Sequence, residues 1–138
     1  MREFRLDTIG PAGDCAVLRL TGEVDLCTAP MLRERIRELA AGGAVHLIAD
    51  LSQVDFLDST GLGALVGGLK RLREDGGSLA LVITNPRILR IFQVTGLTKA
   101  LAAWPSVTDA ITADPHWHKT AETQAGSVLE WCRQHGLS

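Results

Sequence analysis

The sequence predicts an α/β domain built on a mixed, mostly parallel sheet of four to five strands, with about four helices plus an extra C-terminal helix. Three observations carry that expectation. Apolar runs of strand length alternate with segments of helical periodicity. Glycine or proline punctuates most of the junctions, and a length of 138 residues suits one domain around one core. Hydrophobic residues make up 46% and charged residues 22%, an ordinary globular balance that excludes a disordered chain.

Residues 4–9 alternate weakly and residues 15–20 read as a strand, with Gly10-Pro11-Ala12-Gly13 as the turn of an opening hairpin. Thr28 is placed to cap a first helix that has Pro30 in its first turn and Leu32, Ile36, Leu39 and Ala40 on one face, closed by Gly42-Gly43. The short apolar run 45–51, interrupted only by His46 and Asp50, predicts a strand buried on both faces at the centre of the sheet. Leu62, Leu65, Val66, Leu69 and Leu72 share one face of a second helix that Gly76-Gly77 ends. Residues 78–84 form the next strand. Pro86 opens a third helix with Ile88, Ile91 and Phe92 inward, and Gly96 ends it. A last edge strand is expected in 100–104, and Ser106 caps a helix running through Ile111. Residues 1–113 thus make the domain. Residues 114–138 are expected to be a C-terminal helical extension, with Trp117, Ala121, Val128, Leu129 and Cys132 near one face despite the interruption at Gly126.

Charge and composition exclude several functions. Sixteen acidic residues stand against fourteen basic ones, a net charge of −2 spread along the chain, so no basic face is available for nucleic acid. Residues 1–5 carry charge but no apolar signal-peptide core follows, and residues 60–69 are too short and too glycine-rich for a membrane span. Three widely spaced cysteines fit reduced thiols better than a disulfide framework, so a cytoplasmic protein with no membrane partner is expected. In the tail, His116-x-His118 and Cys132-x-x-His135 offer a zinc-like spacing of low specificity; the favoured reading is a surface helix packed by its tryptophans, with no metal and no cofactor.

The segment 50–63, Asp-Leu-Ser-Gln-Val-Asp-Phe-Leu-Asp-Ser-Thr-Gly-Leu-Gly, leads from the central strand into the second helix. Binding sites in open α/β sheets favour the carboxyl ends of strands, and the first helical turn there offers unpaired N–H groups to an anion. Asp58 or Ser59 could equally be a simple helix cap, and Thr60 a capping residue beside them. Gly61, Gly63, Gly67 and Gly68 argue for more than capping, because each glycine inside a helix costs about 0.8–1 kcal/mol relative to alanine. Close backbone approach, to the protein's own sheet or to another molecule, would repay that cost. Phe56, flanked by Val54 and Leu57, reads as core or loop anchor. An enzyme finds little support: Gly61-Leu62-Gly63 lacks the third glycine of a dinucleotide fingerprint, no Gly-Lys-[Ser/Thr] of a P-loop exists, and no nucleophile–histidine set is evident.

The run 50–63 resembles the signature of STAS domains, in the branch of bacterial anti-sigma factor antagonists. Gly22-Glu23-Val24-Asp25, Asn85-Pro86 and Val94-Thr95-Gly96-Leu97 are similar to further stretches of that family in the family's order, and the likeness spans about residues 4–112. The resemblance implies a non-enzymatic protein that binds an anti-sigma factor with serine kinase activity, is switched off by phosphorylation on Ser59 and is reset by a serine phosphatase. Asp25, Asp58, Ser59, Thr60, Gly61 and Gly63 are the implied partner-binding residues, although helix capping explains Asp25 and Thr28 equally well. A constitutive STAS adaptor in a stressosome-like or lipid-transport assembly, in which Ser59 only caps, is the alternative. The tail departs from the minimal family pattern and is a candidate for homodimerisation.

Overall fold

The computed structural model describes residues 3–138; Met1 and Arg2, read above as the start of a charged terminus, lie outside the described residues. A hairpin of β1 (Arg5–Ala12) and β2 (Cys15–Val24) is followed by α1 (Ala29–Ala41), β3 (His46–Leu57), α2 (Ser59–Glu74), β4 (Ser78–Val82) and α3 (Pro86–Val94). A short 3-10 turn (Leu97–Lys99) leads to β5 (Ala103–Trp104), α4 (Val107–Ala113), α5 (Pro115–Ala125) and α6 (Val128–Gln134). The strands lie in the order β1-β2-β3-β4-β5; β1 pairs antiparallel with β2, and every other pairing is parallel.

Period-two alternation divides the sheet between two cores. Ala16, Leu18 and Leu20 of β2, Leu47, Ala49 and Leu51 of β3, and Leu79 and Leu81 of β4 face α1, α2 and α3. Cys15, Val17, Ile48 and Val82 face the other way, onto α4, α5 and α6. Asp50, on this second face, is the one buried charged residue among the described residues; its carboxylate accepts from the Arg19 guanidinium at 3.2 Å and from the Ser52 backbone N–H at 3.0 Å. A buried charge paired in this way avoids the cost of an isolated one.

Several expectations are corrected. The hairpin turn is Gly13-Asp14; Gly10-Pro11 belongs to β1 as an irregularity between Ile9 and Ala12, with Gly10 at φ +99. β3 does not stop near residue 51 but continues to Leu57, twelve residues in all, because β2 also runs on and pairs with it through Val24. Thr28 occupies the cap position of α1 without capping it, its side chain turned back toward Glu23 and Asp25. Only Ala103 and Trp104 of the expected last strand pair with β4.

The tail differs most from expectation. It is two helices, since Gly126 adopts a left-handed φ of +89 to end α5 and Ser127 caps α6 by accepting from the Glu130 N–H. These are not surface helices. Trp117, Ala121, Val128, Trp131 and Cys132 are buried with α4 against the sheet, whereas Leu129 points to solvent. Trp117 and Trp131 meet edge to face at 5.4 Å, and neither indole N–H has a hydrogen-bond partner, so this core is held by area and aromatic geometry.

Candidate functional site

The carboxyl ends of β2 and β3 lie side by side, Val24 opposite Leu57, and each opens into a helix. After β3 the chain stays extended at Asp58, whose N–H donates to the Val24 carbonyl at 3.2 Å. The Asp58 carboxylate is the cap of α2, accepting from the Gly61 N–H at 2.9 Å, while its own carbonyl accepts from Leu62. That settles the choice of cap between Asp58 and Ser59. Ser59 is the first helical residue and is exposed, so its hydroxyl is not spent on the helix terminus. The N–H groups of Ser59 and Thr60 sit in the first turn, where no intrahelical acceptor exists, at the positive end of a sixteen-residue helix.

Beside it, Asp25 braces the β2–α1 loop. Its Oδ1 accepts from the N–H groups of Cys27 at 2.9 Å and Thr28 at 3.1 Å, and the Thr28 hydroxyl accepts from the Asp25 N–H while donating to the Glu23 carbonyl. This closed set of bonds presents Leu26, 71% exposed, and Cys27 toward solvent. Asp25 therefore shapes the loop, and it does not cap α1, since its Oδ1 accepts from N–H groups that precede the helix.

The glycines of α2 separate into two kinds. A Cβ at Gly61 would stand 2.5 Å from the Val24 carbonyl and 2.7 Å from Leu57, so Gly61 is required by the protein's own packing, while one at Gly68 would press at 2.8 Å on the tip of the Ile36 side chain. Gly61, one of the residues expected to touch a partner, is buried and faces the sheet. Gly63 and Gly67 meet nothing within 4 Å. Since they follow Ser59 at i+4 and i+8, the three lie on one exposed face, a strip of helix without side chains that begins at the serine.

The elements around that end of the sheet also carry exposed apolar side chains, and sequence reasoning missed them. Phe56 is 48% exposed and Met31, in the first turn of α1, is 53% exposed. Phe56, with Val54 and Leu57 around it, was expected to be core or a loop anchor. The register of β2 against β3 shifts between Gly22 and Glu23, so that Gly22 faces Val54 but Glu23 faces Phe56. The extra residue turns Phe56 out and Leu57 in.

The tail ligands suggested by sequence are not brought together. His116 bonds Asp14 at 2.7 Å, His118 bonds Glu122 at 2.9 Å, and His135 stacks on Trp131 and bonds its carbonyl, while Cys132 is buried.

A model of the STAS domain matches residues 8–110. The chain belongs to the STAS domain family. Its STAS domain is 44% identical over 80 residues to the anti-sigma-B factor antagonist of Bacillus subtilis (strain 168), covering 58% of this chain and 72% of that one. A crystal structure of an anti-sigma factor antagonist from Mycobacterium paratuberculosis superposes with a TM-score of 0.73 at 32% identity, over 80% of this chain and 93% of that one. The Bacillus cell fate determinant SpoIIAA in its phosphorylated form gives a TM-score of 0.62 at 25% identity, over 80% of this chain and 98% of that one. No described helix of this STAS chain is long and apolar enough to cross a membrane.

Proposed function

We propose that this STAS protein is an anti-sigma factor antagonist that docks, unphosphorylated, on an anti-sigma factor with serine kinase activity and is released by phosphorylation on Ser59. The observation that carries the reading is the exposed strip from Ser59 through Gly63 and Gly67. It lets another backbone come close to α2, and Leu26, Met31 and Phe56 offer apolar contact around it. The relatives named as antagonists of anti-sigma factors give the class of partner.

The partner would supply nucleotide, Mg²⁺ and base, and this chain the acceptor hydroxyl. Phosphate on Ser59 adds about −1.5 to −2 charges to a surface that already holds Asp55 and Asp58. Because the phosphate stands at the N-terminal pole of α2, beside the N–H groups of Ser59 and Thr60, the helix tolerates it. The fold therefore survives while docking weakens. A serine phosphatase restores the hydroxyl. Asp58 acts by holding the turn, and Asp25 by holding the neighbouring loop. The 114–138 extension, which completes the second core, belongs to the same folded unit.

The test is incubation with an anti-sigma kinase and ATP, read by intact mass, together with pull-down of that kinase. The expected result is one added phosphate on the wild type, none on Ser59→Ala, retained capture by Ser59→Ala and at least about tenfold weaker capture by Ser59→Asp, all with unchanged far-UV spectra. Undiminished capture by Ser59→Asp, or phosphate gained by Ser59→Ala, would overturn the reading; the former with no phosphate on the wild type identifies a constitutive adaptor.

A further inference from the structure

At the pole of the sheet opposite Ser59, residues from three distant places meet. Asp14 and Cys15 come from the β1–β2 turn and the start of β2, His46 from the start of β3, and His116 from the first turn of α5. The Asp14 carboxylate lies 2.7 Å from His116 Nε2 and 3.5 Å from Cys15 Sγ, and ligand atoms of these three residues all fall within 4.8 Å of one another. His46 Nε2 stands 3.8 Å from the other Asp14 oxygen, with its ring 4.1 Å from that of His116.

Two imidazoles, one carboxylate and one thiol are the donor types that divalent zinc accepts in tetrahedral sites. In such a site, bond lengths near 2.0–2.3 Å set the donor atoms about 3.3–3.6 Å apart. The Sγ-to-carboxylate distance already falls in that range, the His46 distance is slightly long, and the His116 contact must open by less than about 1 Å. Outer contacts of the kind that orient metal ligands are also present. His46 Nδ1 lies 3.0 Å from Ser78 Oγ, and Thr120, which bonds the His116 carbonyl, touches Cys15 Sγ at 3.8 Å. When Nδ1 donates to Ser78, Nε2 turns a lone pair on the Asp14 carboxylate, an arrangement that a cation between them relieves.

We propose that Asp14, Cys15, His46 and His116 form a binding site for one zinc-type divalent ion that fastens α5 of the extension to the amino ends of β2 and β3. Coordination expels the thiol proton to solvent, since a metal-bound thiol is deprotonated. The site does not depend on the antagonist reading, because it is formed at the other end of the strands and serves to hold the extension.

The full chain, stripped of metal by chelator, is titrated with Zn²⁺ against a chromophoric competitor and separately loaded with Co²⁺. One equivalent is expected, with tetrahedral cobalt bands, a thiolate-to-cobalt charge-transfer band and a raised melting temperature. His116→Ala, a change at a partly exposed side chain, should weaken zinc by more than the roughly ten- to hundredfold that loss of an outer-shell partner costs. Cys15→Ser should remove the charge-transfer band, while His118→Ala, Cys27→Ser and Cys132→Ser leave both readings unchanged. Failure to bind an equivalent of zinc overturns the proposal. So does a charge-transfer band that follows Cys27, or equal weakening by His116→Ala and His118→Ala, which marks adventitious histidine binding.

Discussion

The two ends of β3 carry polar clusters of opposite character. At the carboxyl end, Asp58 and Asp25 satisfy their own turns, and the serine, two glycines and three apolar side chains beside them are left facing solvent. At the amino end, His46 is enclosed by Asp14, Ser78 and His116, and the extension lies over the adjoining face of the sheet. One end is therefore organised to be covered by something else, and the other is already covered in part by the chain itself, with His46 enclosed and Asp14 and His116 half exposed. The difference follows from the extension, which supplies a second core to one face of the sheet and leaves the α1–α2 pole open.

The largest effect is expected where the covered region is weakened. Trp131 is 1% exposed and packs on Trp117 and His135, so Trp131→Ala should lose its buried area and leave a cavity at a cost of about 3–5 kcal/mol. Urea unfolding measures it. Ser59→Ala, at the open end, should move the midpoint little, since an exposed residue that caps nothing contributes within about 0.5 kcal/mol. Comparable losses for the two would remove the contrast between the ends.

A finer contrast lies inside α2. At Gly61 an added methyl strikes the Val24 carbonyl, which is backbone and cannot move aside, so Gly61→Ala should cost at least about 1–3 kcal/mol. At Gly63 the methyl enters open space, and Gly63→Ala should stabilise the helix by about 0.8–1 kcal/mol. The same Gly63 variant should bind an anti-sigma partner at least about tenfold more weakly, because the methyl occupies the strip on which that partner would lie. Stability and docking then move in opposite directions. Gly63→Ala with raised stability and undiminished binding would show that the strip is not a contact surface.

This contrast also explains what could be read from the sequence. The open end is contiguous: strand, capping acid, serine and glycine helix follow one another over residues 50–63, so local rules and family likeness both reach it. Those rules could not separate Gly61 from Gly63, because the distinction depends on Val24, which is remote in sequence. Nor could they turn Phe56 outward, since a register shift against β2 does that. The covered end was hidden more deeply. Its residues 14, 15, 46, 78 and 116 have no shared spacing, and the tail histidines suggested a different grouping that the helix break at Gly126 and the burial of Cys132 prevent.

The smallest effect concerns reactivity, with no change in stability required. Thiolate is the nucleophile in alkylation, and in the protein stripped of metal, burial pushes the Cys15 thiol up to about 12 and raises that of Cys132 as well. Near pH 8, a thiol with that value is ionised to roughly one part in ten thousand, and its sulfur is enclosed besides. Cys27 lies exposed on the Asp25 loop. Native protein should therefore react quickly with iodoacetamide at one thiol, identified as Cys27 by peptide mass, and at all three only in denaturant. Docking of an anti-sigma kinase should slow that one reaction by covering the loop, while leaving Cys15 and Cys132 as slow as before. Fast alkylation of Cys15 in the folded protein would mean that the amino end of β3 is open too, and that the extension does not seal it.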